Sequence, residues 1–216
     1  MAVVAQPKSR NKGKKGDTRR RIIRSAARLF ATNGYAATSI AAICEAAGVV
    51  PTSIYWEFGS KAGVLEAVLE DSAQRWRTTA TRGVLKAAAG GDRLDAYFDY
   101  MAKTFTKSPE FPRLMLMVAL ERGHKDHRAL EIIRSHRVAW ITELSELLPR
   151  LGLGKDSAES PTRYQIAELI FACLDGAFVS GQIDPDAARL ESMLGLFDSA
   201  LRARLLPSRE AEGVKG

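Results

Sequence analysis

Thr52, Ser53, Tyr55 and Trp56 stand together in the run Pro51-Thr52-Ser53-Ile54-Tyr55-Trp56, and their types suit contact with nucleic acid. Threonine and serine hydroxyls can bond base edges or phosphates, and the threonine methyl can touch a thymine methyl. Tyr55 and Trp56 have polar tips able to donate to phosphate oxygens, and Lys61 adds a point charge just beyond them. Ile54 and Phe58 lie four apart, so they would hold a helix onto its supports and leave Pro51, Thr52, Ser53, Tyr55 and Trp56 facing outward. Tyr55 has a second reading as half-buried support. Few long polar side chains project from this run, so direct base readout should be sparse.

Such a helix needs supports that hold it in a groove. The spacing predicts a first helix from Asp17 or Thr18, with buried rows Ile22, Ala26, Leu29 and Ile23, Ala27, Phe30. Gly34 closes it, and Tyr35 reads as core or hinge packing. Thr38 is the expected N-cap of a second helix that buries Ile40, Ile43 and Ala47. Gly48 supplies the tight turn, and Pro51 suits the first turn of the third helix. Ser60 can cap a fourth helix whose inner face is Val64, Leu65, Val68 and Leu69. Together these make a helix-turn-helix.

The charge supports the same partner. Residues 1–61 hold 11 Lys+Arg and 3 Asp+Glu, a net +8, whereas the rest of the chain holds 21 and 22, a net −1. Polyanion binding is therefore expected of the first quarter alone. Residues 1–17 read as a flexible basic arm, and Arg19, Arg20 and Arg21, with Lys12, Lys14 and Lys15, offer phosphate or minor-groove contacts. A solvated arm without a partner is the other reading.

The remaining pattern is helical. Breaks are expected at Gly90-Gly91-Asp92, at Pro109 and Pro112, at Gly123 to Asp126 and at Gly152 to Ser160. A long helix is predicted from Ala129 to Leu151, another from Ser160-Pro161, and a last one from Asp184-Pro185. No alternating strand pattern of useful length occurs. The fold class is all-α, about nine helices. No run of about 18 apolar residues suggests a membrane span, and no apolar segment before Ile22 reads as a signal peptide. Cys44 and Cys173 sit among apolar helical residues and are expected to be reduced and buried. His124 and His127 lie beside Glu121 and Asp126, but in a charged turn better read as solvated than as a metal site. No nucleophile–base set or phosphate loop is present, so neither catalysis nor a cofactor is expected.

From about Thr18 to Val68 the sequence resembles the TetR family of transcriptional regulators. The resemblance rests on Ala26-Ala27-Arg28-Leu29-Phe30, Gly34-Tyr35, Thr38-Ser39, Ile43, Ala47-Gly48-Val49, Ile54-Tyr55-Trp56, Phe58 and Ser60-Lys61-Ala62. It implies an N-terminal three-helix DNA-binding unit and a helical domain for ligand binding and dimerisation. It also implies that Thr38 and Lys61 contact phosphates, Thr52 and Ser53 read bases, and Tyr55 and Trp56 pack against the DNA backbone. Two positions depart from the family: Val50 stands where serine is common, losing a cap, and Gly63 where an acidic residue is common, losing a capping box.

The expected domains are the arm 1–17, a DNA-binding domain 18–64, a ligand-binding and dimerisation domain 65–206 and a tail 207–216. Trp76, Phe98, Met101, Phe105, Met115, Leu120, Trp140 and Phe171 are candidate pocket-lining residues, though apolar stripes are more often plain core. His136, on an otherwise apolar face, is either a satisfied core histidine or a polar ligand anchor. The family pairs its last two helices into a four-helix dimer interface, here residues 162–181 and 186–205. The function implied is a cytoplasmic homodimeric repressor, released from a palindromic operator by a small apolar or amphipathic effector. The alternatives are a nonspecific architectural DNA-binding protein and, more remotely, a helical enzyme.

Overall fold

The computed structural model describes the backbone of residues 10–89, 93–122, 127–153 and 161–205. The expected breaks at 90–92 and 123–126, with His124 and Asp126, lie outside the described residues, as do most of the 152–160 loop and the 207–216 tail. Among the described residues the chain forms nine α-helices and no strand. They are α1 (Arg10–Ala37), α2 (Ile40–Ala47), α3 (Pro51–Phe58), α4 (Lys61–Ala88), α5 (Arg93–Lys107), α6 (Glu110–Met117), α7 (His127–Leu147), α8 (Arg163–Ile183) and α9 (Ala187–Leu205).

Two compact units arise from this order. The first comprises 1–72 and 113–132, the second 73–112 and 133–216. The chain thus does not divide at a single point near residue 64. A segment from the middle of the chain, 113–132, carrying most of α6 and the start of α7, belongs to the same unit as α1, α2 and α3. Glu121 of that segment reaches Gly34, and Arg128 lies 3.7 Å from Glu66.

Local differences have simple causes. Helix α1 begins at Arg10, so residues 10–17 are helical rather than a flexible arm. Gly34 bends the end of α1 with φ 77 and ψ 166, a conformation open to glycine. The chain after Met117 widens into a π-helical turn, Val118–Arg122. The predicted long helix 129–151 instead ends at Leu147 and tightens into a 3₁₀ turn, Leu148–Leu151. Pro149 removes the N–H that an α-helix needs there. The cap of α8 is Thr162, which exchanges hydrogen bonds with Gln165 in a capping box.

The core of the first unit comes from Ile22, Ile23, Phe30, Ile43, Ile54, Val64, Leu65 and Leu69. In the second unit α5 packs against α9, and α8 against α9. Leu94, Tyr97, Phe98 and Met101 of α5 are buried there, with Leu144, Ile170, Phe178 and Leu194. Cys44 is buried and Cys173 half-buried, both as free thiols, and burial raises the pKa of each. Helix α8 is long and apolar enough to cross a membrane by length and composition, despite the sequence expectation. It is a core helix: its inner face buries Ile166, Ile170, Phe171, Leu174 and Phe178.

Candidate nucleic-acid interface

Helix α3 is held from one side. Ile54 is fully buried, while Pro51, Thr52, Tyr55 and Trp56 are exposed and Ser53 is half-buried. Trp56 is 80% and Tyr55 55% exposed, so Tyr55 is not the half-buried support that the sequence left open. Val50 precedes the helix without a side-chain cap, and Pro51 takes the first turn. Gly48 closes α2 in the left-handed region (φ 62), and its N–H returns to the carbonyls of Cys44 and Glu45. Ser25 of α1 donates to the Ala46 carbonyl at 3.0 Å, tying α2 to its support.

Thr38 needs correction. It is 1% exposed, and its hydroxyl lies 2.8 Å from the Gly34 carbonyl and 3.2 Å from that of Leu29. A hydroxyl spent on the bend of α1 cannot also bond a phosphate. The N-cap of α2 is the exposed Ser39, whose hydroxyl accepts from the Ala42 N–H. Adjacent hydroxyls at 38 and 39 looked equivalent in sequence, and only burial separates them.

Lys61 is half-buried and anchored. Its ammonium sits 4.3 Å from the centre of the Tyr35 ring and within 3.4 Å of the Ala36 carbonyl. Tyr35 in turn stacks on Phe30 at 5.4 Å. The charge is therefore held at the start of α4 beside the bend in α1, with less rotamer freedom to lose on meeting an anion. Arg19 lies 5.3 Å over the Phe58 ring, bracing the end of α3, while Arg20 is exposed. The side chains of Lys12, Lys14 and Lys15 lie outside the described residues.

Gly63 has a steric reason. A Cβ there would fall 2.0 Å from the Phe58 carbonyl oxygen, so no other residue fits without moving the chain. Ser60 still caps α4 by accepting from the Gly63 N–H at 3.0 Å. Only half of the capping box is lost.

The residues expected to line a pocket do not all meet. Trp76, Phe98, Met101, Phe105, Trp140 and Phe171 belong to the second unit. Trp76 stacks on Phe105 at 5.4 Å and lies 6.2 Å from Phe111, and Phe105 meets Phe178 at 5.3 Å. Leu120 is 80% exposed because the π-helical turn swings it outward, which removes it as a lining residue. Met115 is buried and belongs to the first unit. His136 is half-buried.

Two polar features of the second unit were not singled out in the sequence. Tyr97 is fully buried and its hydroxyl has no hydrogen-bond partner among the described residues, while desolvation raises its pKa strongly. Arg137 donates to Asp175 at 2.6 Å and lies 4.2 Å over the Phe171 ring. Burial pushes the Asp175 carboxyl up, and the hydrogen bond and charge of Arg137 pull it part of the way back.

Residues 22–68 match the family model of bacterial regulatory proteins, tetR family. A 61-residue stretch is 43% identical to the HTH-type transcriptional regulator TtgR of Pseudomonas putida, and equally to the probable HTH-type regulator ArpR of the same species. That match covers 28% of this chain, which thereby spans 29% of the length of either relative. Over the whole fold, a TetR transcriptional regulator from Chloroflexus aurantiacus superposes with a TM-score of 0.74 at 25% identity, covering 89% of this chain and 98% of its own. A TetR-family regulator from Cytophaga hutchinsonii gives 0.74 at 18% identity, with 93% and 99% covered. Reduced NemR of Escherichia coli gives 0.71 at 20%, with 85% and 97% covered.

Proposed function

This chain belongs to the TetR family of bacterial regulatory proteins, and on that premise we propose that it is a dimeric transcriptional regulator whose α3 helices read a two-fold symmetric operator. The observation that carries the reading is the outer face of α3. A helix with one buried residue exposes Tyr55 and Trp56 side by side to solvent. Thr52 and Ser53 are assigned to base edges. Ser39, Pro51, Tyr55, Trp56, Lys61, Arg20 and the N-terminal basic residues are assigned to the backbone, supplying most of the affinity. Arg19 contributes through its hold on Phe58.

Dimerisation is supported by a second exposed face. Leu169, Val179 and Ile183 of α8 stand in solvent with Met193 and Leu196 of α9, and the exposed Ala172 and Gly176 run between them. An apolar face of this kind on two packed helices fits a second copy of itself.

Control by a small apolar or amphipathic effector is proposed for the second unit. The aromatic cluster of Trp76, Phe105, Phe111 and Phe178 supports it, and Phe98, Met101, His136, Trp140 and Phe171 belong to the same unit. Release of DNA then follows if effector and operator favour different states of the chain. The test is selection of bound duplexes from random DNA by the full-length chain, repeated with candidate apolar compounds. Enrichment of an inverted repeat supports the reading. Uniform recovery of all sequences would instead favour an architectural DNA-binding protein.

A further inference from the structure

Val50 puts an apolar side chain where the helix and the solvent both favour a polar one. It is 61% exposed, whereas its sequence neighbour Val49 is half-buried. It stands as the N-cap of α3 and makes no side-chain hydrogen bond there. A serine, threonine or aspartate would bond an N–H of the first turn and stabilise the helix. Val50 forgoes that cap and leaves apolar surface in water.

Its position and rigidity set it apart from an ordinary exposed valine. The chain leaves α2 through Gly48, and the Val49 N–H donates back to the Cys44 carbonyl at 3.0 Å. The Ser53 N–H donates to the Val50 carbonyl, also at 3.0 Å. Between these two bonds Val50 lies in extended backbone, φ −89 and ψ 152. Pro51 favours that conformation in the residue before it, and branching at Cβ restricts the side-chain torsion. The two methyls therefore have little freedom to lose on meeting a surface. Pro51 and Thr52, exposed as well, follow at the N-terminal end of α3. That is the end whose residues meet base edges when such a helix enters the major groove.

The rest of α3 indicates what Val50 would meet. Pro51–Phe58 holds no Arg, Lys, Asn or Gln, the side chains that pair bidentately with guanine or adenine. Glu57, its one charged residue, is half-buried. Sequence preference from this helix therefore rests on hydroxyls and on apolar contact. The apolar group that a base edge offers in the major groove is the C5 methyl of thymine. We propose that Val50 reads a thymine methyl in each operator half-site, beside the base contacts assigned to Thr52 and Ser53. It thereby fixes a position of the site that hydrogen bonding leaves open. The inference rests on the operator-reading proposal, but it fails separately.

The probe is the duplex recovered by selection with the full-length chain. Its thymines are replaced by deoxyuridine, one symmetry-related pair at a time, which removes the methyl and keeps the pairing edge. At one pair the wild type should lose about 15-fold in affinity, about fourfold for each half-site. V50S should bind the thymine and deoxyuridine forms of that pair within about twofold of each other, while any loss at a pair read by the Thr52 methyl persists. V50T keeps one methyl and should retain part of the discrimination. Both variants regain a cap, so a Tm equal to or above that of the wild type shows that they are folded. A selected site in which no thymine pair responds to deoxyuridine would overturn this inference and leave the operator reading standing. So would V50S discriminating as the wild type does at every pair. Equal weakening of V50S on the selected and a scrambled duplex, with the thymine preference unchanged, would place Val50 on the sugar-phosphate backbone and overturn it too. Recovery of no preferred site would remove the operator reading and this inference together.

Discussion

Helix α3 and the pair α8–α9 each leave large apolar side chains in solvent, yet they differ in composition. On α3 the exposed groups are aromatic with polar tips, Tyr55 and Trp56, beside hydroxyls and close to an anchored lysine. On α8 and α9 they are aliphatic, Leu169, Val179, Ile183, Met193 and Leu196, interrupted by small residues. Exposure alone is the same signal in both places. The chemistry around it differs: one face can donate to phosphates, and the other can only exclude water against a similar face. On that difference the first face is proposed for DNA and the second for another copy of the chain.

The largest predicted effect breaks the second face. A L169E/L196E double variant should sediment as a monomer. Its operator affinity should drop by about 100-fold or more, because two linked half-site contacts become one. Next comes the first face. W56A should remain dimeric and weaken operator binding by about 2 kcal/mol, roughly 30-fold, as loss of an aromatic anchor does. Fluorescence anisotropy with a selected duplex measures both. If W56A dissociated the dimer and L169E/L196E did not, the two assignments would be reversed.

Smaller effects lie inside the domain that carries the aliphatic face. Y97F removes a buried hydroxyl that has no partner. It should stabilise the fold by about 1 kcal/mol and raise Tm by about 2–4 °C. An unchanged or lowered Tm would mean that the hydroxyl is satisfied in solution. The smallest effect concerns Asp175, whose carboxyl is raised by burial more than Arg137 lowers it. The folded chain then holds that proton more tightly than the unfolded chain. The contribution is complete below the ordinary value of about 3.9 and is lost as pH rises through the raised one. A D175N variant should show less loss of Tm across that acidic window than the wild type.

Much of the DNA-binding region was legible in sequence because its signals are local. Gly48, Pro51 and the spacing of Ile54 to Phe58 each constrain one turn of chain; the structure keeps Gly48 and Pro51 in those roles and buries Ile54, while Phe58 is half-buried beneath Arg19. Thr38 and Ser39 were not separable, since burial depends on how the end of α1 bends back over them. Gly63 looked like a lost cap, and the nearby Phe58 carbonyl that demands glycine is visible only in three dimensions. In the second unit, periodicity located the helices but not the polar groups within the apolar stripe, Tyr97 and the Arg137–Asp175 pair. Leu120 matched a lining residue by type, yet the π-helical turn rotates it into solvent. The start of α1 at Arg10 was hidden by glycine and lysine content that reads as unstructured.

The most direct test of the account is the affinity of the full-length chain for its selected duplex relative to a scrambled duplex of the same composition, measured at one stated salt concentration. If α3 reads an operator, the ratio should be about 1,000 or more, and the selected site should be an inverted repeat with half-sites about 10 base pairs, or a multiple, apart. A ratio near one, unchanged by W56A, would contradict it.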